Sequence, residues 1–141
     1  MIDRELVDRK IVLIAPDLAE LQEIAARGKE AFLASRIEQV VVERYLERII
    51  GRMIDVNYHL LTEMGQPPPR DYYQSFVELG GRVVPADFAT RIAAAAGLRN
   101  RIAHEYDDID PGRLFEGMEA AARDIPVWIT HVVWFLDSRA G

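Results

Sequence analysis

The chain has 141 residues, half of them apolar and 28% charged, which is the make-up of one globular domain and excludes a disordered chain. Its 17 Lys+Arg against 23 Asp+Glu leave a formal charge of −6, so a broad basic coat for nucleic acid is excluded and any such contact must be local. It has no cysteine, which removes disulfides, thiolate metal sites and cysteine nucleophiles, and its three histidines are too few for a His-rich metal centre.

The chain opens Met1-Ile2-Asp3-Arg4-Glu5, without the basic start and apolar stretch of a secretory leader. No apolar run reaches the roughly 18 residues that span a bilayer, so a cytoplasmic protein without membrane contact is expected. From Asp3 to Arg27 the stripe Leu6, Ile14, Leu18, Leu21, Ile24 predicts a helix. Pro16 lies inside it and predicts a kink or break. Gly28 ends it, and residues 30–36 carry no clear pattern. From Ile37, the apolar residues Val40, Val41, Ile49, Ile50, Met53, Ile54, Leu60, Leu61 and Met64 recur at three and four. Charged residues such as Glu43, Arg44, Glu47, Arg48 and Arg52 fill the other side. That is one long amphipathic helix, closed by Gly65 and Pro67-Pro68-Pro69. A short helix over 71–79 stops at Gly80-Gly81. The next opens at Pro85, a first-turn position, and runs through Ala93-Ala94-Ala95-Ala96 toward Ala103. Asp110-Pro111 is an N-cap followed by a first-position proline, and the last helix runs to about Ser138, bent at Pro126. Period-two alternation is absent. Residues 1–141 are therefore expected to form a single all-α bundle of four to five helices.

Chemistry concentrates in Gly97-Leu98-Arg99-Asn100-Arg101-Ile102-Ala103-His104-Glu105-Tyr106-Asp107-Asp108-Ile109-Asp110. Asn100 and His104 are four apart and share a helix face, so Asn100 is placed to orient the imidazole, with Arg101 beside it. Arg99 sits about 140° around the helix from His104. A long side chain reaching round, a tightened helix end, or a homodimer with facing copies of this helix would bring the two to one phosphate. The alanine run and Gly97 favour the homodimer, because small residues let helices approach closely. An arginine and a histidine suit RNA phosphodiester cleavage without a metal. The 2′-hydroxyl is an internal nucleophile, a histidine moves its proton, and an arginine binds the phosphate and its developing charge. The bland reading of the same residues is a helix-end capping and salt-bridge cluster.

The segment Arg99-Asn100-Arg101-Ile102-Ala103-His104-Glu105-Tyr106 fits the R-x4-H-x-Y signature of the HEPN superfamily and resembles its HepT-like toxins. Likeness extends over about residues 37–115. It includes Ile54-Asp55-Val56-Asn57-Tyr58-His59-Leu60, Ser75-Phe76 before Gly80-Gly81, and Asp107-Asp108-Ile109-Asp110. The resemblance implies a helical-bundle homodimer and a metal-independent endoribonuclease with Arg99 and His104 catalytic and no cofactor. It further implies a cognate MntA-like nucleotidyltransferase antitoxin that transfers AMP to Tyr106. Two other classes compete with this reading. One is a non-catalytic HEPN module that binds nucleotide or docks a partner nucleotidyltransferase, and the other is a plain dimerisation bundle.

Other polar pairs read as structural. Asp55 and His59, four apart on the long helix, are expected as a buried pair or rim contact. His131 is expected to be structural, and Trp128 and Trp134 to be core or interface residues. Gly80-Gly81 lacks a phosphate-loop pattern and is a turn.

Overall fold

The computed structural model describes residues 1–104 and 109–140. Among these it has seven helices: α1 (Arg4–Ala26), α2 (Lys29–Leu33), α3 (Arg36–Glu63), α4 (Tyr72–Val77), α5 (Ala86–Ile92), α6 (Ala94–His104) and α7 (Pro111–Ala140). The three long helices start where the chain supplies an acceptor for an orphan N–H. Asp3 Oδ1 accepts from Leu6 N at 3.0 Å, Ser35 Oγ from Glu38 N at 3.2 Å, and Asp110 Oδ2 from Arg113 N at 3.0 Å. α3 stops at Gly65, whose φ of +81° permits a Schellman turn: Gln66 N donates to Leu61 O and Gly65 N to Thr62 O.

Among the described residues the one strand-like pairing is a single bridge between Gly80 and Val84, so the all-α bundle forms as expected. No described helix is long and apolar enough to cross a membrane. Three local expectations change. α1 runs unbroken through Pro16, because one lost backbone donor is outweighed by Ile14, Leu18 and Leu21 buried in the core. The helix expected from Pro85 onward splits into α5 and α6 at Ala93, and Pro85 itself is the N-cap. Residues 30–36 contribute a short extra helix, α2, whose Phe32 is buried against Phe115 at 5.5 Å between ring centres.

α3 is the central rod and touches α1, α2, α4, α6 and α7. It buries Val42, Leu46, Ile49, Ile50, Met53, Val56, Leu60 and Leu61, while Ile37 and Val40 at its start remain exposed. Each fully buried aliphatic side chain contributes about 1.5–3 kcal/mol. One polar chain crosses this core. Trp128 Nε1 of α7 donates to Asn57 Oδ1 at 3.2 Å, and Asn57 Nδ2 donates to Ser75 Oγ at 3.2 Å. Ser75 Oγ donates to Tyr72 O at 2.7 Å. Three helices, α3, α4 and α7, are thereby held in register. Trp128 is core, as expected, whereas Trp134 is 63% exposed and meets His131 edge-on.

Candidate active site

α6 carries the chemistry-bearing segment, and its neighbours decide where each side chain goes. Ala95, Ala96, Leu98 and Ile102 are buried. Three of the four alanines, 93, 95 and 96, are buried within the chain's own core, so they serve close packing inside the protomer. Opposite them on α7 stands Gly117, where a Cβ would lie 2.9 Å from Leu98 Cδ2. The glycine is what lets α6 lie this close to α7.

Arg99 is half-buried and faces a cleft of about 640 Å³ between α1, α3, α4 and α6. The lining includes Lys10, Arg48, Gly51, Arg52, Tyr58 and Tyr72. The Arg99 guanidinium lies over the Tyr72 ring, 5.2 Å from its centre, a cation–π contact. Tyr58 meets Tyr72 edge-on at 6.3 Å, so two aromatic rings form the shelf on which the guanidinium rests. Burial, followed by the nearby Tyr72, raises the Tyr58 phenol above its usual range and keeps it neutral. Among the described residues no carboxylate pairs with Arg99, and its buried Nε has no hydrogen-bond partner. A buried guanidinium N–H without an acceptor is costly in a resting protein and useful in one that receives an anion.

The remaining motif residues diverge. His104 is exposed at the last described position of α6. Asn100 is exposed too, and among the described residues no hydrogen bond joins it to His104. Arg101 turns the other way from Arg99. It folds back over Gly97 and lines a small groove between α6 and α7, beside Leu98, Gly117 and Asp124. Asp124 is buried and pairs with Arg91 at 3.4 Å and Arg123 at 3.2 Å. Tyr106, with Glu105, Asp107 and Asp108, lies outside the described residues.

Residues held to be structural in the sequence behave so. Asp55 pairs with Lys10 at 2.9 Å, and His59 Nε2 accepts from Asp3 N at 2.8 Å, so both join α3 to α1 rather than to each other. His131 packs against Phe88 and Trp134. Among the described residues no group of three or more His, Asp or Glu side chains converges as a metal site. The sequence reading passed over Tyr58, Tyr72, Arg48 and Arg52. Arg48 and Arg52 sat among the solvated charges of α3, and the available signal was a glycine, Gly51, between two arginines one turn apart.

Residues 14–130 match the family described as Ribonuclease HepT-like. The chain is 30% identical over 136 residues to "tRNA nuclease HepT" of Aphanizomenon flos-aquae (strain 2012/KM1/D3), covering 96% of this chain and 92% of that one. It also superposes on the cytosolic protein of unknown function YutE from Bacillus subtilis. There the TM-score is 0.80 over 98% of this chain and 93% of that one, at 14% identity, a likeness of fold alone. A family match over most of the chain, together with the relative at 30% identity, settles the affiliation: the chain belongs to the HepT-like ribonuclease family.

Proposed function

We propose that this protein is an endoribonuclease toxin that cuts RNA through Arg99 and His104 without a metal ion. The observation that carries the reading is Arg99, a half-buried cation seated on Tyr72 with a buried, unpartnered Nε at the wall of a cationic cleft. The family membership and the tRNA-nuclease relative support RNA as substrate, with transfer RNA as the first class to test. In the reaction, the 2′-hydroxyl attacks the adjacent phosphorus and its proton passes to the His104 imidazole. The bond from phosphorus to the 5′-oxygen breaks, and that oxygen takes up a proton, from the imidazolium or water. The products are a 2′,3′-cyclic phosphate and a 5′-hydroxyl end. Arg99 holds the phosphate and the charge that grows on its oxygens.

Arg99 faces the cleft while His104 stands about 140° around the helix, as a regular helix demands. A symmetric homodimer with facing α6 helices would pool the two side chains at one phosphate. The support for it is this divergence, since the alanines are engaged inside the protomer. Light scattering reporting a monomer at micromolar concentration would remove it. Asn100, exposed on α6, and Arg101, in the groove between α6 and α7, are then supporting residues for the facing helix to meet.

Regulation follows the same site. A cognate MntA-like nucleotidyltransferase adenylylates Tyr106, two residues beyond His104, and the added phosphate repels RNA while the adenosine blocks its path. The test uses purified protein and RNA in EDTA. His104→Ala abolishes cleavage and Arg99→Ala lowers it about 10²-fold, the scale of one lost oxyanion donor. Wild-type cleavage by His104→Ala overturns the assignment. Binding of nucleotide without cleavage by wild type favours the non-catalytic module instead. With the nucleotidyltransferase, ATP and Mg²⁺, adenylate mass appears on the Tyr106 peptide and not in Tyr106→Phe. Equal neutralisation of both with no adduct leaves plain binding as the mode of inhibition.

A further inference from the structure

The cleft beside Arg99 holds a second cationic device that the motif does not contain. Asp17 of α1 is buried, with only 8% of its side chain exposed, and both Arg48 and Arg52 of α3 reach its Oδ2. Arg48 Nε lies at 3.2 Å and Arg52 Nη1 at 3.4 Å. Arg52 Nη1 also contacts Leu13 O at 3.3 Å. Two guanidinium groups share one carboxylate, so the cluster keeps surplus positive charge, and Asp17 holds both forks along one cleft wall. Lys10 stands in the same lining and is paired with Asp55. The cleft lining carries four cations, with Arg99 among them, against the two carboxylates Glu47 and Asp55, a local positive excess in a chain of formal charge −6.

The helix surface beside the two arginines is open. Gly51 sits mid-helix, where glycine is less favourable than alanine. Its backbone has no positive φ to accommodate, and a Cβ there would meet nothing within 4 Å. Neither conformation nor internal packing accounts for this glycine. What it leaves is open space on the same cleft lining that carries Arg48, Arg52 and Arg99.

We propose that Arg48 and Arg52, aimed by Asp17 beside the open surface at Gly51, form a second phosphate site. It holds the RNA phosphate flanking the one at Arg99. Paired guanidinium forks match the oxygens of a phosphodiester, and the cleft gives the strand one direction across the site. This rests on the ribonuclease reading for its substrate. A strand engaged at two phosphates is bound more tightly than one engaged at a single phosphate.

The test is fluorescence anisotropy with a labelled single-stranded RNA of about 12 nucleotides, in a His104→Ala background that leaves it uncut. Arg48→Gln leaves Asp17 paired with Arg52, so the fold is preserved. It weakens binding about tenfold near 0.1 M salt, and the plot of log affinity against log salt becomes shallower by about 0.7, one phosphate contact. Gly51→Met fills that space and weakens binding likewise, with a melting temperature at or above the parent's. Binding within twofold of the parent by both variants, with unchanged salt slopes, overturns the site, as does failure of the parent to bind RNA. The two readings separate cleanly. If wild type cleaves RNA, both variants bind it unaltered in the His104→Ala background, and the same two substitutions made with His104 intact leave cleavage unaltered, the second site is wrong and the nuclease stands. If wild type never cleaves yet Arg48→Gln flattens the salt slope, the nuclease is wrong and the phosphate site stands.

Discussion

Asn57→Ala tests the polar chain that crosses the core. Asn57 is the acceptor for Trp128 Nε1 and the donor to Ser75 Oγ, and all three side chains are buried. Truncation leaves the indole N–H without a partner, at about 1–3 kcal/mol, and removes a second hydrogen bond worth about 1 kcal/mol. Ser75 keeps its bond to Tyr72 O and adds no further penalty. The expected loss is about 2–4 kcal/mol. At about 2.1 cal/mol/K of unfolding entropy per residue, a chain of this length loses roughly 3 °C of Tm per kcal/mol, so Tm falls about 7–13 °C. Urea denaturation and calorimetry measure both quantities, and the control is the same change made in Trp128→Phe. Without the indole N–H to strand, Asn57→Ala there costs at least about 1 kcal/mol less. An equal cost in both backgrounds, or a single-variant cost under about 1 kcal/mol, refutes the reasoning.

Two helical glycines are expected to respond in opposite directions. Gly51→Ala raises stability by about 1 kcal/mol because its Cβ meets nothing, while Gly117→Ala lowers it by about 1 kcal/mol because its Cβ crowds Leu98 by more than the helix gains. Equal stabilisation by both in urea melts would show that α6 yields freely. Tyr58 makes stability fall as pH rises above about 10, where the unfolded phenol ionises and the folded one, held neutral by burial, does not. Tyr58→Phe should flatten that alkaline limb, which denaturant midpoints at pH 9 and 10.5 would report. His59→Ala removes only the acceptor for Asp3 N at an exposed helix start, so cleavage is unchanged and stability drops by less than about 1 kcal/mol. Lost cleavage would identify the wrong histidine as catalytic.

Local signals placed the long helices, because their caps and stops are contained within a few residues, but they missed α2 and the break at Ala93. The oxygens of Asp3, Ser35 and Asp110 cap the three long helices, and Gly65 ends α3 by a turn that needs positive φ. The three- and four-residue spacing of apolar side chains marked the buried face of α3 from Ile49 onward, whereas Val40 before it is exposed and the buried Val42, Leu46 and Val56 were not in the predicted stripe. The signal for the candidate segment was equally local, since Arg99, His104 and Tyr106 are near neighbours in the chain. Tertiary structure alone decided what Arg99 faces. Pro16 is carried inside an unbroken α1 by packing from α3, a force that does not act within the segment itself. Arg99 and Arg101 are two residues apart, yet one meets Tyr72 and the other the groove beside Asp124, because different helices flank the two sides of α6. Asp17 lies more than thirty residues from Arg48 and Arg52, and the aromatic shelf of Tyr58 and Tyr72 joins α3 to α4. Such groups carry no shared spacing in the sequence. Their meeting depends on how rigid helices cross, which is set by the summed volume of the core and not by any one residue.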